Sequence, residues 1–209
     1  MKHTAVLAAA AVAALLATGA AACGSAHSGA ASAPKSSPGS ASAPSGATAA
    51  SAPFGPGCSA VPASGAGSFT GMSAAPVATA ASANPVLSTL VTAVKAAGLV
   101  DTLNSASGIT VFAPDNAAFA KIPPATLKQL LGNKAELTKI LSYHVAQGQL
   151  TPLRLAAGAP IKTLEGGTVL PARMGSTYEV NTAQVVCGNV HTANATVYII
   201  NSVLTPPAG

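Results

Sequence analysis

Charged side chains are scarce in this 209-residue sequence, at 7% of all residues, and only five of them are acidic. Tryptophan is absent, and aromatic residues amount to 3%. The net charge is +5, but no run of lysines and arginines with interleaved aromatic residues is present, as a surface that follows a phosphate backbone would need. We therefore expect no nucleic-acid partner.

The motifs that carry most enzyme chemistry are also missing. The sequence has no Gly-x-Ser-x-Gly turn and no phosphate-binding glycine loop. Of the four histidines, only His144 and His191 lie outside the N-terminal segments that are set apart below. The five acidic residues are far apart in sequence, so we expect no metal site. We predict no catalytic residues and no cofactor, and a protein that is not an enzyme.

The first 22 residues have the pattern of an export signal. Met1, Lys2 and His3 form a short positive start, residues 5–17 are apolar, and residues 18–22 are small. The apolar run is shorter than the ~20 residues that cross a bilayer, and no later apolar run approaches that length. We expect residues 1–22 to be removed and the mature chain to lie outside the cytoplasm.

The three cysteines are Cys23, Cys58 and Cys187. Cys23 directly precedes Gly24-Ser25 and follows the small residues, which looks like a bacterial lipoprotein processing site where the new N-terminal cysteine is acylated. We predict lipidation of Cys23; because Ala20 stands where leucine is usual, ordinary cleavage and release to the wall or medium is the alternative. Acylation leaves Cys58 and Cys187 as an even pair, and an oxidising compartment favours a disulfide between them.

Residues 23–57 combine the cysteine of this site with a linker made almost entirely of Ala, Ser, Pro and Gly. Such a segment has too few large apolar side chains to offset the entropy lost on ordering. We therefore predict a disordered stalk, biased by its prolines toward extended polyproline II at ~3.1 Å per residue. The folded domain is expected at residues 58–205.

Helix signals dominate the first part of this domain. Asn84-Pro85 predicts a helix start and Gly98 its end. Residues 108–113 predict a strand, and Asp115-Asn116 after it forms a structural motif in which Asp115 caps a short helix. Helical spacing resumes over residues 125–131 and 133–141. Short strand-like runs follow at residues 161–164, 168–170, 178–180, 184–186 and 196–204. Helices followed by strands predict an α+β domain whose sheets close around one core.

The densest group of basic residues falls on these predicted helices. We interpret it as a solvated helix face, with a patch that binds an anionic wall polymer as the alternative. The four residues are Lys121, Lys128, Lys134 and Lys139.

Three segments together resemble the fasciclin family. They are residues 110–119 (TVFAPDNAAF), residues 141–145 (LSYHV) and residues 197–204 (VYIINSVL), which match its first homology block, its Tyr-His motif and its second block in order. The resemblance covers the globular part of the chain. It implies one fasciclin-like domain of two packed β-sheets with flanking N-terminal helices, and a role in adhesion or extracellular interaction.

Two further stretches resemble the mycobacterial secreted and lipid-anchored surface-antigen branch of that family. They are residues 55–58 (GPGC) and residues 184–190 (QVVCGNV). Cysteines at such positions pair in that branch, which implies a Cys58–Cys187 bridge. In animal relatives the Tyr-His region is linked to integrin contact together with a nearby Asp-Ile pair. Tyr143-His144 is therefore a candidate interaction motif, although no Asp-Ile dipeptide occurs here.

His144 and Asp115 each have a chemical and a structural interpretation. His144 could serve as a base, a ligand or a pH-sensitive contact. At a helix-to-strand junction it would instead bond a backbone carbonyl and pack its ring, and we favour this structural role. Asp115 is likewise expected to cap a helix and not to act as an acid or a metal ligand.

Two functional hypotheses follow. In the first, a cell-surface lipoprotein presents the domain to an unidentified extracellular protein or glycan, with the membrane contacted through the N-terminal lipid and the chain a monomer. In the second, the domain carries a small apolar molecule or lipid in a groove between sheet and helices, lined by residues such as Leu127, Leu131 and Ile140.

Overall fold

A computed structural model describes residues 52–207 of the chain. The predicted export signal, Cys23 and most of the predicted stalk lie outside the described residues. Within the described range, no helix is long and apolar enough to cross a bilayer.

Helices fill most of the first half of the described region. Two short 3-10 helices, Pro56–Ala60 and Pro85–Leu87, accompany the α-helices. The α-helices of the whole described region are α1 Phe69–Ser73, α2 Val77–Ser82, α3 Ser88–Ala97, α4 Val100–Ser105, α5 Asn116–Ala120, α6 Pro124–Gly132, α7 Lys134–Tyr143 and α8 Pro152–Ala156.

Most strands follow α7. The strands of the described region are β1 Ile109–Pro114, β2 Val145–Gln147, β3 Ile161–Lys162, β4 Thr168–Val169, β5 Pro171–Met174, β6 Thr177–Val180, β7 Ala183–His191 and β8 Ala195–Ile200. A six-stranded sheet has the order β2-β1-β8-β7-β6-β5, and β3 and β4 form a two-stranded sheet. Strands β1 and β8 are parallel, whereas the other pairs are antiparallel. The predicted α+β fold with two sheets and N-terminal helices is confirmed.

The two-stranded sheet covers one edge of the six-stranded sheet. An isolated bridge joins Ala146 of β2 to Thr163 just after β3. The Leu164 amide also donates to the Val145 carbonyl at 2.7 Å. Because β4 leads directly into β5 at the opposite edge, the strands curl around the side chains between them. The β2 edge is bonded to the segment after β3, so it is not left open to pair with another chain.

The buried apolar side chains form two clusters, not the single core expected from the sequence. Strands β1 and β8 are buried along their whole length, so each contributes to both clusters. Alternate residues of a strand point to opposite faces. Val111 and Val197 accordingly belong to one cluster, whereas Phe112 and Tyr198 belong to the other.

We call these clusters the helix-side core and the strand-side core. The helix-side core packs the N-terminal helices and α7 on one face of the sheet, with Leu90, Val94, Leu137, Leu141 and Ile199 among its buried members. The strand-side core lies between the curled strands and α8, with Tyr143, Leu155, Val169, Val180 and Ile200 among its buried members.

Several predicted helix ends are confirmed. The Asn84 side chain accepts from the Val86 amide at 3.1 Å, but the first turn there is 3-10 and α3 begins only at Ser88. Gly98 ends α3 with a φ of 71°, a left-handed conformation that costs glycine least. Asp115 caps α5, since its Oδ1 accepts from the Ala118 amide at 2.6 Å. The sequence signals therefore predicted the end of α3 and the start of α5, whereas α3 itself begins three residues after Pro85.

Candidate functional site

The Tyr-His motif lies at the junction between α7 and β2, in the interior of the protein. Tyr143 is the last residue of α7 and His144 is its C-cap. Each residue is 2% exposed. A partner could not touch either side chain without opening the fold, so a contact in this region would have to use the surrounding surface.

The His144 ring joins three parts of the chain. Its Nδ1 lies 2.8 Å from the Ile140 carbonyl oxygen, and its Nε2 accepts from the Leu204 amide at 2.9 Å. Its own carbonyl accepts from the Phe112 amide at 2.8 Å. Since Nε2 is an acceptor, the proton of the neutral ring is on Nδ1, which donates to Ile140. His144 thus ties the end of α7 to β1 and to the segment after β8.

Burial determines the protonation state of this histidine. Desolvation lowers the pKa of His144 to about 4, and the hydrogen bond to the Ile140 carbonyl opposes the shift only partly. The imidazole is therefore neutral near neutral pH and its Nε2 lone pair is occupied by Leu204. A base or ligand at this position would need that lone pair, so the geometry supports the structural interpretation of His144.

Tyr143 is anchored in a similar way on the strand side. Its hydroxyl donates to the Thr168 carbonyl at 2.8 Å and accepts from the Asn181 side chain at 3.2 Å. Asn181 has a positive φ of 54° and its Oδ1 accepts from the Leu170 amide at 2.8 Å. The tyrosine hydroxyl therefore fixes the two-stranded sheet and the turn between β6 and β7 against α7.

Asp115 and Asn116 cap two different helices. Whereas Asp115 caps α5, the Asn116 Oδ1 accepts from the Thr89 amide at 3.0 Å and from the Ser88 hydroxyl at 3.2 Å, at the start of α3. The Asn116 Nδ2 donates to the Pro85 carbonyl at 2.9 Å. Asp115 thus has the capping role predicted for it, and Asn116 of the same motif caps a second helix, which was not predicted.

Cys58 and Cys187 form the disulfide that the cysteine count and the resemblance indicated, across a sequence separation of 129 residues. Beside it, the amides of Phe54 and Gly188 donate to each other's carbonyls at 3.1 and 2.8 Å. A Cβ on Gly188 would come within 2.5 Å of the Phe54 ring and 2.9 Å of the Tyr198 ring. The lead-in to the domain is therefore held to β7 by a covalent bond, a β-bridge and ring packing.

Asn194 has a structural role that the sequence analysis did not identify. Its Oδ1 accepts from the Val77 amide at 2.8 Å, and its Nδ2 donates to the Leu103 and Ala106 carbonyls at 2.8 and 2.6 Å. It therefore caps the start of α2 and the end of α4 at once. Only its position in the turn between β7 and β8 could have drawn attention to it, because its partners are distant in sequence.

An apolar cavity of about 60 Å³ lies between the N-terminal helices and the six-stranded sheet. Leu90, Val94, Val111 and Val197 are among the residues that line it. Leu127, which was expected in an apolar groove, lines a separate surface hollow of about 280 Å³ with Phe119 and Ile122. Leu131 and Ile140 line neither space. The three residues expected to line an apolar groove therefore do not line this cavity.

Across residues 52–207, no group of three or more histidine, cysteine or acidic side chains is placed to hold a metal ion. Asp115, Asn116, Tyr143 and His144 instead use polar side-chain atoms in internal hydrogen bonds. The arrangement supports the fold and offers no set of free catalytic groups around His144.

The family of the chain is shown by comparison with known domains. Residues 85–206, more than half of the chain, match the fasciclin domain. The chain belongs to the fasciclin family. This fasciclin domain contains all three segments on which the resemblance was noted, and the Tyr-His motif lies near the middle of the matched region.

Relatives of this fasciclin protein occur in mycobacteria. It is 48% identical over 127 residues to the immunogenic protein MPB70 of Mycobacterium bovis, covering 58% of this chain and 64% of MPB70. It is 50% identical over 129 residues to the cell surface glycolipoprotein MPB83 of the same species, covering 58% of this chain and 56% of MPB83. The chain thus spans less than two thirds of the length of these relatives.

The fold has a counterpart among solved structures. A FAS1 domain pair from the insect cell adhesion molecule fasciclin I superposes with a TM-score of 0.56 at 18% identity. The match covers 65% of this chain and 52% of the insect protein. At this identity the likeness shows a shared fold and nothing about partners.

Proposed function

We propose that this protein is a surface lipoprotein whose fasciclin domain binds an extracellular protein or glycan. The mature chain would begin at an acylated Cys23, and the residues from Gly24 to just before Phe54 would form a stalk between the membrane and a monomeric domain; the predicted stalk end at residue 57 is too late, because Phe54 and residues 56–57 are bonded into the domain. The observation that carries this proposal is the 50% identity to a protein named as a cell surface glycolipoprotein. The lipoprotein-like processing site around Cys23 supports the same anchoring.

The internal bonding of the motif residues supports a binding role over catalysis. His144, Tyr143, Asp115 and Asn116 each use their polar side-chain atoms in hydrogen bonds to the protein itself. Catalytic groups need a polar atom within reach of substrate. We therefore infer that the domain is not an enzyme and that its outer surface, held in shape by these residues, makes the functional contacts.

The anchor can be tested by replacing Cys23→Ala in the full chain expressed in a bacterium that acylates lipoproteins. We expect the parent protein in the membrane fraction and the detergent phase, and the variant in the medium or aqueous phase. Cys58→Ser with Cys187→Ser is a control that removes the other two cysteines, and with them the disulfide, but leaves the processing site intact. Membrane retention of Cys23→Ala would overturn the lipid anchor.

The binding role can be tested separately with cells that display the protein. We expect such cells to attach to host or neighbouring-cell surfaces more strongly than cells that lack it, and soluble full-length protein to compete. Removal of surface glycans from the target, compared with mild proteolysis, would distinguish a glycan from a protein partner. Equal attachment with and without the protein would count against adhesion.

The apolar cavity is the observation behind a second candidate function, transport of a small apolar molecule. At about 60 Å³ it is less than half the volume of an engineered apolar cavity of ~150 Å³ that binds benzene. A lipid would therefore require the helices to move away from the sheet. Mass spectrometry of the natively purified full chain would detect a stoichiometric apolar ligand, and an empty protein would rule against a carrier.

A further inference from the structure

The last described stretch of the chain, residues 202–207, is held to the rest of the protein by few bonds. We call these residues the C-terminal latch. Just before them, the Asn201 amide donates to the Gln184 carbonyl at 3.0 Å, and its Oδ1 accepts from the Gln184 amide at 3.0 Å. In the described part of the chain, the Leu204 amide is the only main-chain group of the latch that makes a hydrogen bond.

The one buried side chain of the C-terminal latch is that of Leu204. It is 2% exposed and belongs to the strand-side core, whereas Val203 is only half-buried. Lys121 adds a contact at the surface, where its Nζ donates to the Asn201 carbonyl at 2.7 Å and lies 3.4 Å from the Ser202 hydroxyl. The attachment of the latch therefore depends largely on Leu204.

The partner of the Leu204 amide is a titratable side chain. The amide donates to the His144 Nε2 at 2.9 Å, and the ring Nδ1 lies 2.8 Å from the Ile140 carbonyl oxygen. An imidazole accepts at one nitrogen only while it is neutral, because both nitrogens of the protonated ring carry a hydrogen. The bond that holds the latch therefore forms with only one protonation state of His144.

A proton on Nε2 of His144 would point at the Leu204 amide. Two donors would then face each other inside the protein, and the new N–H group of the ring would have no acceptor. A buried charge with an unsatisfied donor is costly. The cost falls if the latch moves away and water reaches the ring, since the Leu204 amide is the group in contact with this nitrogen.

Charged groups around His144 do not remove this cost. The ring follows α7, is bonded to the latch, and lines the cavity beneath α2, α3 and α4. In the range 52–207 no acidic side chain is buried with it, and the buried Tyr143 and Tyr198 are uncharged in acid. The charged side chains on the surrounding elements are all exposed or half-buried: Lys95, Asp101, Asp115, Lys121, Lys134, Glu136, Lys139, Lys162, Glu165 and Glu179.

We propose that the C-terminal latch opens in acid: protonation of His144 releases Leu204 and the residues after it, while the helices and sheets stay folded. Release takes the Leu204 side chain out of the strand-side core and exposes apolar surface beside His144. Few other contacts have to break, so this opening costs less than unfolding the sheets. The inference depends neither on the lipid anchor nor on the identity of a partner.

The size of the effect follows from the two protonation equilibria. With the latch closed the pKa of His144 is about 4, and with water at the ring it returns to its ordinary 6.5. The ratio of open to closed latch should therefore rise about 20-fold from pH 7 to pH 5, and on the order of 100-fold by pH 4. Above pH 7 the ratio should change little. The closed latch remains the major form wherever opening is rare at pH 7.

Hydrogen exchange of individual amides in the full mature chain tests this, after correction for the effect of pH on the intrinsic exchange rate. The Leu204 amide reports on the latch, and the Val197 amide in the middle of β8 reports on global unfolding. We expect Leu204 to be less protected than Val197 and to depend little on urea, because its opening exposes little surface. Its protection should fall about 20-fold from pH 7 to pH 5.

His144→Gln separates protonation from the hydrogen bond. Glutamine can still accept from the Leu204 amide but takes up no proton, so the pH dependence of Leu204 exchange should disappear. His191→Gln is the matched control, since it removes an exposed histidine and should leave that dependence in place. Leu204→Ala is a second variant if His144→Gln does not fold. It should open the latch more at pH 7 and keep the same fold-change toward pH 5.

Two results would overturn the proposal. If Leu204 had the same protection and urea dependence as Val197, the latch would open only when the whole domain unfolds. If the protection of Leu204 did not change between pH 7 and pH 5, or fell equally in His144→Gln, protonation of His144 would not open it. Failure of the adhesion test or of the lipid anchor would leave either result unaffected.

Discussion

The helix-side core and the strand-side core share the central strands β1 and β8 but are built from different side chains. The helix-side core is largely aliphatic, contains many alanines and keeps a cavity of about 60 Å³. The strand-side core contains Phe112, Tyr143 and Tyr198, with the two tyrosine hydroxyls bonded to backbone carbonyls. In a chain with 3% aromatic residues, this concentration is informative.

The difference indicates how each side is specified. Aromatic rings with bonded hydroxyls have one orientation in which both packing and hydrogen bonding are satisfied. Small aliphatic side chains pack in more ways, so the helices on that side depend on asparagine caps for their position. We therefore expect the strand-side core to be sensitive to changes in shape, and the helix-side core to changes in its caps.

The largest effect is expected at the centre of the strand-side core. Tyr198 is fully buried and its hydroxyl donates to the Leu150 carbonyl at 2.7 Å; desolvation raises the pKa of this phenol. Tyr198→Ala should lower the free energy of unfolding by about 4 kcal/mol, and Tyr198→Phe by only about 1–2 kcal/mol. Urea denaturation would measure both. If Tyr198→Phe lowers the free energy of unfolding as much as Tyr198→Ala, the hydrogen bond and not the packing of the ring accounts for most of the stabilisation.

Acid should destabilise the protein through the buried His144. The folded pKa is about 4 against 6.5 for the ordinary value, so only the unfolded chain takes up a proton between these pH values. Stability is complete above pH 6.5 and falls as the pH drops toward 4, by about 3 kcal/mol in total.

Denaturation at several pH values would measure this dependence. His144→Gln should start from a lower stability and lose this part of the pH dependence, whereas His191→Gln, at an exposed position, should keep it. If the parent protein and His144→Gln lost the same amount of stability between pH 6.5 and pH 4, the pH dependence could not be assigned to His144.

The caps of the helix-side core can be tested at Asn194. Asn194→Ala removes the acceptor of the Val77 amide and the donor to the ends of α4, and should cost about 2 kcal/mol. Asn194→Asp keeps the acceptor but directs a carboxylate at the Leu103 and Ala106 carbonyls, and should cost at least as much. Hydrogen exchange should show faster exchange in α2 and α4 than in β7. Unchanged exchange in both helices would contradict this role.

The smallest effects should separate the two cores by their packing. Ala80 lines the cavity, whereas Ala146 is fully buried in the strand-side core. Ala80→Val should change the free energy of unfolding by less than about 1 kcal/mol, and Ala146→Val should lower it by about 1–3 kcal/mol. Thermal or urea unfolding would show whether the order holds. If Ala80→Val and Ala146→Val lowered the free energy of unfolding equally, the cavity would not accommodate the added methyl groups at residue 80.

Much of the fold could be predicted from the sequence because its signals are local. Asp115 caps a helix within three residues, Gly98 ends one in place, and the β-branched run before Pro114 forms a strand. Strand β5 was not predicted, since it begins at Pro171 and has one buried residue. Proline is tolerated there because β5 is an edge strand.

The candidate site was predicted less completely. The sequence indicated a structural role for His144 and the tertiary structure supplied its partners, Ile140 and Leu204. The family resemblance also made Tyr143-His144 a candidate interaction motif, and both side chains are buried. Sequence pattern cannot show on which side of a helix-to-strand junction a ring will lie, since that depends on elements that pack there from elsewhere.

The sequence by itself determined the local features of the chain. These are the starts of helices that are capped by neighbouring residues, the runs of residues that form strands, and the segments shared with the family. Only the tertiary structure decided which distant side chains stabilise each element, and α2 shows why. This helix has no side-chain cap of its own; its first amides are bonded by Asn104 and Asn194, 26 and 117 residues away. A helix start satisfied by distant side chains leaves no signal in its own sequence, because the groups that stabilise it meet only after folding.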